Sequence, residues 1–194
     1  MVKRARATGL AVAVIVGLVV GLGGPLGTGV ASASKAMSVT SPGIKKGWIA
    51  DAYGARGTVK GGVPVVSLPL QVSGAPAKTV AYAVLVTDPD ARAVAGIEFR
   101  HWMAANILTP KITRNASVKQ AKKMVQGVND YGTFGYGGPN PPDKTHTYSI
   151  TVYALKEKVK LTQGFDLSIT EFKAALGRSV LASKTIRGKY SPSR

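Results

Sequence analysis

The sequence predicts a mainly β protein, a β-sandwich or barrel with one helix packed at one end. Short apolar runs rich in β-branched residues alternate with glycine and proline turns through most of the 194 residues. One late segment shows the helical spacing of apolar residues instead. Strands and helices do not alternate regularly, which argues against a nucleotide-binding α/β fold. A chain of this length is expected to form one domain with its own core.

The first 33 residues have the three parts of a secretory signal peptide. Lys3, Arg4 and Arg6 form a positive start, residues 10–22 are apolar and uncharged, and residues 31–33 provide an Ala-x-Ala cleavage site. The apolar part is short for a membrane-spanning helix, which needs about 20 residues. We predict that residues 1–33 are a signal peptide and that the domain is secreted or extracytoplasmic. An uncleaved N-terminal anchor is the alternative.

Composition restricts the classes of partner and site. The formal net charge is +17 at pH 7, and a positive excess of this size attracts anionic surfaces. We therefore expect peripheral contact with anionic membrane or cell-wall polymers. No arginine-rich run or zinc-finger spacing is present, so nucleic acid is not the expected partner. Cysteine is absent, which excludes disulfides and thiolate metal sites.

The segment after the signal peptide is small, polar and basic. We interpret residues 34–44 as an exit segment, with a short strand near residues 37–39. The domain itself is predicted at residues 45–194.

The beginning of the domain is predicted to contain only short strands and turns. Glycines are closely spaced between residues 43 and 62, which argues against a helix there. Residues 63–72 are apolar but include Pro64 and Pro69, so they suit an edge strand or an extended connector.

Four further segments are predicted to be strands. Residues 79–87 form a continuous β-branched and aromatic run, as expected for a strand buried on both faces. Residues 103–108 are a second core strand. Residues 147–155 alternate between polar and apolar side chains, the period of a half-buried strand. Residues 183–190 close the domain.

One helix is predicted after residue 164. Ser168 and Glu171 match a capping box, and the apolar residues that follow recur at i, i+3, i+7 and i+11. Gly177 costs a helix about 1 kcal/mol relative to alanine, so we expect the helix to be short or to break there. For the polar and basic residues 115–126, we favour a solvated loop over a short surface helix.

Two aspartates and both histidines lie at strand ends or in the adjoining loops. Asp88 and Asp90 follow a buried strand, His101 precedes another, and His146 ends a loop dense in glycine and proline. Each feature also has a structural explanation. Asp-Pro-Asp is typical of a turn, and a histidine beside a tryptophan is commonly packed in a core. The loop rich in glycine and proline is also typical of an ordinary turn.

Three functional interpretations compete for these residues. Two imidazoles and a carboxylate suit a zinc site, but no short ligand spacing supports one. A hydrolase using His101 or His146 as base lacks a Gly-x-Ser-x-Gly elbow and a cysteine nucleophile. Anion binding would use the imidazole N–H groups, the Tyr148 hydroxyl and loop amides as donors to phosphate oxygens. The carboxylates would then hold a histidine in its protonated, donating form.

Four motifs, in order and at their separations, closely resemble the phosphatidylethanolamine-binding protein family. They are Asp88-Pro89-Asp90-Ala91, His101-Trp102, Gly137-Gly138-Pro139-Asn140-Pro141-Pro142 and His146-Thr147-Tyr148. The lead-in Asn129-Asp130-Tyr131-Gly132 resembles the bacterial branch, often called Raf kinase inhibitor-like proteins. The resemblance covers about residues 63–190.

The resemblance implies an antiparallel β-sandwich with one C-terminal α-helix and short peripheral helical turns. It also implies a small pocket for phosphate-type anions, including the head group of phosphatidylethanolamine. When the family's ligand-binding positions are transferred to the matching motifs of this sequence, they correspond to Asp88, His101, Pro141, Pro142, His146 and Tyr148, with Asp90 and Gly138 close by.

We therefore expect a non-enzymatic protein that binds phosphate or a phosphorylated head group, with no catalytic residue, metal or cofactor. Animal members of the family modulate kinases and some members inhibit serine proteases. A protease inhibitor or protein-interaction module is thus the alternative, and a hydrolase is a remote one.

The sequence departs from the family pattern at several positions. Arg92 replaces a proline, so we expect a less rigid turn and an added positive charge near the pocket mouth. Thr147 replaces an arginine, Asn140 replaces a cysteine, and Leu68 stands where the first proline of Ser-Pro-Pro-Leu is usual.

Overall fold

The computed structural model describes residues 36–193, which form a mainly β fold with few helices, as the sequence predicts. The predicted signal peptide at residues 1–33 lies outside the described residues. The strands are β1 (Ser38–Thr40), β2 (Ile44–Lys45), β3 (Trp48–Ile49), β4 (Val59–Lys60), β5 (Val63–Pro64), β6 (Leu70–Ser73), β7 (Ala81–Asp88), β8 (Phe99–Ile107), β9 (Lys111–Ile112), β10 (Val125–Gln126), β11 (His146–Leu155) and β12 (Val180–Tyr190). The α-helices are α1 (Arg92–Ala95), α2 (Ala116–Lys119) and α3 (Ile169–Leu176), and short 3-10 helices occupy Asp51–Tyr53, Ala121–Lys123 and Gly177–Ser179.

The strands form two larger sheets and one small ribbon. The order of the seven-stranded sheet is β10-β8-β7-β11-β12-β3-β2, that of the three-stranded sheet is β1-β6-β9, and β4 pairs with β5. Within the described chain, the pairings of these strands are antiparallel except that of β12 with β3. The main apolar core draws on both larger sheets, so the predicted mainly β fold class is confirmed.

Strand β7 is buried on both faces because an apolar layer packs on each side of it. Val84 and Val86 belong to the core between the two larger sheets. Ala83 and Leu85 point the other way, into a second core that Phe172 and other residues of α3 complete. This burial confirms the predicted doubly buried strand from residue 81 onward, whereas Thr79 and Val80 precede the strand and Val80 is exposed.

Strand β11 has the predicted alternation. Tyr148, Ile150 and Val152 are fully buried, whereas the intervening Thr147 and Thr151 are partly exposed. One face therefore packs against the main core and the other is only half covered.

Helix α3 begins and ends where the sequence predicts. The Ser168 side chain accepts a hydrogen bond from the Glu171 backbone, and the Glu171 carboxylate accepts one from the Ser168 backbone. The helix ends at Gly177, whose φ of 40° lies in the left-handed region that glycine adopts without strain.

The folded domain starts before the predicted boundary at residue 45. Strand β1, inside the stretch predicted as an exit segment, pairs with β6, and Val39 is buried in the main core. The short strand predicted near residues 37–39 corresponds to β1, but its place in the core does not follow from the sequence, because the pairing with β6 buries Val39.

Two other segments differ from the sequence prediction. Pro64 lies in β5 of the two-stranded ribbon and Pro69 in the connection after it, as predicted, but β6 from Leu70 onward lies in the middle of its sheet rather than at an edge. Residues 115–126 form helical turns and a strand rather than a solvated loop. The reason is a buried polar contact, in which the Ser117 hydroxyl donates to the Gln126 side-chain oxygen at 2.7 Å.

Among the described residues, no helix has the length and apolar character that crossing a membrane requires.

Candidate functional site

A cavity of about 240 Å³ opens at the end of the seven-stranded sheet where β7 stops and β8 and β11 start. The strands bring these ends together because Asp88 pairs with Phe99, and Thr87 pairs with Ser149. The cavity is lined by Asp88, Ala91, Val94, Ala95, Phe99, His101, Tyr131, Asn140, Pro141, Pro142, His146 and Tyr148.

The Asp88 carboxylate is buried and uses its two oxygens differently. Oδ1 accepts backbone hydrogen bonds from Asp90 at 3.0 Å and Ala91 at 3.2 Å, which fixes the turn after β7. Oδ2 accepts a hydrogen bond from His146 Nδ1 at 2.6 Å. Asp88 is therefore both a turn residue and a cavity residue.

Both ring nitrogens of His146 face carboxylates. Besides the Asp88 contact, Nε2 lies 2.8 Å from Oδ1 of Asp143, which is partly exposed. Burial by itself would lower the pKa of His146, but the two carboxylates outweigh burial and raise the pKa above its ordinary value. This pKa direction favours the protonated ring, in which each N–H is directed at a carboxylate.

His101 has a different environment. Its Nδ1 lies 2.6 Å from the carbonyl oxygen of Gly137, and since a carbonyl only accepts, the proton is on Nδ1. Burial lowers the pKa of His101 despite the opposing effect of this hydrogen bond and of nearby Asp88. Burial therefore favours the neutral form of the ring, and the Gly137 contact places a proton on Nδ1.

An irregularity in β8 directs His101 into the cavity. Val86 pairs with Trp102 and the next residue of β7, Thr87, pairs with Arg100, so His101 is an extra residue in β8. In a regular strand, His101 and the core residue Trp102 would point to opposite faces. The bulge allows Trp102 to enter the core while the His101 ring packs near Tyr148, with ring centroids 5.2 Å apart.

Tyr148 presents a buried hydroxyl that makes no hydrogen bond of normal geometry with the described residues, and the Asp88 carboxylate is the nearest polar group that influences it. Burial, and then the negative charge of Asp88, raise the pKa of this hydroxyl, so it remains protonated. An unpaired buried donor is uncommon in proteins, and a cavity-lining one has the geometry to donate to a ligand.

The opposite wall is the loop that contains Asn140, Pro141 and Pro142. Close backbone packing holds it, because a Cβ atom on Gly138 would collide with the carbonyl oxygen of Tyr53. The Gly138 carbonyl accepts a hydrogen bond from the Tyr131 hydroxyl at 2.9 Å.

The structure brings six of the eight predicted ligand-binding residues to the cavity wall, and the other two, Asp90 and Gly138, are not among the lining residues. Gly138 shapes the loop, and Asp90 accepts a hydrogen bond from the Thr147 backbone at 2.7 Å, which ties the Asp-Pro-Asp turn to β11. Arg92 is paired with Glu98 at 2.6 Å outside the cavity lining, and it begins helix α1.

Several lining residues were missed by reasoning from sequence. Val94 and Ala95 come from α1, which no sequence pattern indicated. Phe99 lies two residues before His101, and Tyr131 lies in the segment that leads into the Gly-Gly-Pro motif. Their closeness to these motifs in the sequence could have indicated that they line the cavity.

Comparisons with known proteins agree with this geometry. A family model for phosphatidylethanolamine-binding protein matches residues 40–191. The chain is 33% identical over 138 residues to the uncharacterized protein YxkA of Bacillus subtilis, covering 64% of this chain and 81% of YxkA. It is 34% identical over 128 residues to YbcL of Escherichia coli, covering 62% of this chain and 66% of YbcL.

The crystal structure of Escherichia coli YbcL, titled a new member of the mammalian PEBP family, superimposes with a TM-score of 0.68. The alignment has 31% sequence identity and covers 80% of this chain and 98% of YbcL. This chain therefore belongs to the phosphatidylethanolamine-binding protein family, in the bacterial branch that includes YbcL.

Proposed function

We propose that this protein is an exported, non-enzymatic binding protein whose cavity accepts a phosphate-type anion, either free or as a phosphorylated head group. The observation that carries the proposal is the Tyr148 hydroxyl, a buried donor at the cavity wall that makes no hydrogen bond of normal geometry in the described chain. Burying such a donor unpaired costs about 1–3 kcal/mol, and an oxygen of a bound anion removes that cost.

The remaining geometry supports a small ligand with an apolar part. The volume of about 240 Å³ suits a head group rather than a large substrate. The N–H of His146 that faces the partly exposed Asp143 is a second candidate donor for a ligand that displaces this carboxylate. Val94, Phe99 and the two prolines provide apolar walls for the rest of the ligand.

A binding role is favoured over hydrolysis by the chemistry of the lining. The lining residues include no serine, threonine, lysine or cysteine nucleophile. In the unliganded protein both nitrogens of His146 are engaged by carboxylates, and His101 has no serine, threonine, lysine or cysteine beside it in the lining to activate.

Export is supported by the charge and apolar pattern of residues 1–33. Outside the cytoplasm, the positive surface would bring the protein to anionic head groups or wall polymers, where phosphorylated ligands are abundant. A kinase or protease partner has no specific observation in its favour.

The test is Tyr148→Phe, with binding of inorganic phosphate and phosphoethanolamine measured by calorimetry. Loss of one hydrogen bond worth about 1 kcal/mol should lower the affinity for both ligands roughly fivefold to tenfold. The unliganded variant should be as stable as the wild type or more stable, because the missing hydroxyl made no hydrogen bond of normal geometry.

Tyr153→Phe is the matched control, since Tyr153 lies on the same strand outside the cavity lining. Its affinity should equal that of the wild type. Absence of saturable binding of either ligand to the wild type at millimolar concentration would disprove the proposed function.

A further inference from the structure

The outer side of the seven-stranded sheet is covered by an apolar layer over only part of its width. The second core, which includes Phe172 of α3, covers β8, β7 and the end of β11. Further across the sheet, the outward residues of β12 are exposed and those of β11 are half-buried. Within the described chain, β11, β12, β3 and β2 therefore present an open polar surface, which we call the outer face.

One row of side chains crosses all four strands of the outer face. Thr147 of β11 pairs with Lys189 of β12, and Lys189 lies beside Trp48 of β3. Trp48 in turn pairs with Lys45 of β2. Paired residues point to the same side of a sheet, and this row points outward because the next residue, Ile49, is buried in the main core. The partly exposed Trp48 thus lies between two exposed lysines.

The neighbouring rows add a third cation and several hydroxyl groups. Arg187 pairs with Ser149, and Thr185 pairs with Thr151. Arg187 is exposed, and the hydroxyls of Thr151 and Thr185 share a hydrogen bond of 2.8 Å. A hydroxyl both donates and accepts hydrogen bonds, so the face suits a partner that is itself rich in hydroxyls.

The positive charge of the outer face is not compensated. The four strands contain no acidic residue. Asp90 approaches the row at its β11 end, where its carboxylate accepts from the Thr147 backbone. The ion pairs within the described chain involve none of the cations Lys45, Arg187 and Lys189. The face therefore attracts a negatively charged partner.

The composition of the face discriminates among anionic partners. Insertion into a bilayer uses exposed aliphatic side chains, and the largely exposed ones of the described residues lie outside these strands. Single-stranded nucleic acid stacks its bases on successive aromatic side chains, whereas the cationic row has only Trp48. A second copy of this chain would set like charges against each other. A sugar ring, by contrast, can pack its C–H face on the indole while its hydroxyls reach serine and threonine.

We propose that the outer face binds an acidic polysaccharide, with one sugar ring on Trp48 and carboxylates of the polymer paired with Lys45 and Lys189. These two lysines are separated by two strand spacings, about 10 Å, which is comparable to two sugar residues in an extended chain. The inference goes beyond the proposed function and does not rest on it, since none of these residues lines the cavity.

Tryptophan fluorescence can report this contact directly. The chain has two tryptophans, and Trp102 is fully buried in the core, so a polymer on the outer face should change the emission of Trp48. Titration of the wild-type protein with polygalacturonate at low salt should give a saturable change, and the neutral polymer dextran should give none. Polyglutamate carries carboxylates without sugar rings, and it should bind roughly threefold to tenfold more weakly because the ring contact is missing.

Affinity electrophoresis in gels that contain polygalacturonate compares variants without relying on fluorescence. Lys189→Gln should weaken binding roughly twofold to fivefold by removing one exposed ion pair. Lys111→Gln removes the same charge from β9 in the other large sheet and should bind like the wild type. Trp48→Leu should weaken binding roughly threefold to tenfold, and Trp48→Phe should restore most of the affinity because it keeps an aromatic ring.

Several results would overturn the proposal. Equal losses in Lys189→Gln and Lys111→Gln would mean that net charge alone drives binding. Polyglutamate or single-stranded DNA binding as tightly as polygalacturonate, wild-type affinity in Trp48→Leu, or no saturable binding of polygalacturonate would each contradict it. The comparison of the two lysine variants holds even if a Trp48 variant does not fold. Phosphate binding in the cavity should be unchanged in every variant, so this proposal and the proposed function can fail separately.

Discussion

Asp143 is the residue whose role was least visible in the sequence. It lies in the loop between the proline pair and β11, and its carboxylate accepts from His146 Nε2 at 2.8 Å. In the unliganded protein this carboxylate occupies a donor that an anionic ligand would otherwise use. Asp143 and a bound anion are thus expected to compete for the same N–H.

We predict that Asp143→Asn binds phosphate about threefold to tenfold more tightly than the wild type, the equivalent of one hydrogen bond of about 0.5–1.5 kcal/mol. The change removes a competing acceptor charge and leaves His146 paired with Asp88. Isothermal titration calorimetry at pH 6 measures the difference.

Glu157→Gln is the control for this prediction, because it removes one negative charge far along the sequence at an exposed position, where Glu157 accepts from Ser179. If both variants tighten binding equally, net charge alone explains the gain. Unchanged affinity in Asp143→Asn would show that the anion does not approach His146.

At the scale of elements, local patterns in the sequence were enough for most of the sheet and for helix α3. The doubly buried β7, the alternation of β11 and the capping box at Ser168 each follow from neighbouring residues. The bulge that aims His101 does not, since it depends on the register between β7 and β8. The pairing of β1 with β6 likewise joins segments that are distant in sequence.

The same limit applies to the candidate site. The motifs place Asp88, His101 and His146 at strand ends, and their convergence follows once the strands are adjacent. Which proton each histidine carries does not follow, because the Gly137 carbonyl and Asp143 decide it. The sequence therefore predicted the members of the cavity wall better than their hydrogen-bonding roles.

For helix α3, we predict that Ser168→Ala lowers the free energy of unfolding by about 1 kcal/mol, because the capping hydrogen bond to the Glu171 backbone is lost. Chemical denaturation measures this change. Thr170→Ala, in the first turn of the same helix and exposed, should have little effect or a slightly stabilising one. Equal losses in the two variants would contradict the capping explanation, and phosphate affinity should be unchanged in both.

At the scale of the whole molecule, the positive charge is left mostly uncompensated. The ion pairs within the described residues use arginine or histidine as the cation, and no described lysine takes part. The nine acidic residues are too few to balance the surface. The lysines are therefore available to an anionic surface, in contrast to the cavity, whose wall has none.

We predict that the protein sediments with phosphatidylglycerol vesicles in low salt and is released at roughly 0.5 M salt, where the Debye length is only about 4 Å. It should not sediment with phosphatidylcholine vesicles. His101→Gln should behave like the wild type in this assay, since surface attraction does not involve the pocket. Vesicle binding that persists in high salt would point to an apolar contact instead.

The parallel pairing of β3 with β12 has a consequence for the order of assembly. Lys189 lies opposite Trp48, so an early strand of the domain finds this neighbour only after nearly all of the described chain has been synthesised. Until then, β3 and β11 each lack the strand that separates them in the finished sheet. A growing polypeptide therefore exposes unpaired strand edges late into synthesis, and a chain shortened before Val180 would keep them, which is a cause of aggregation.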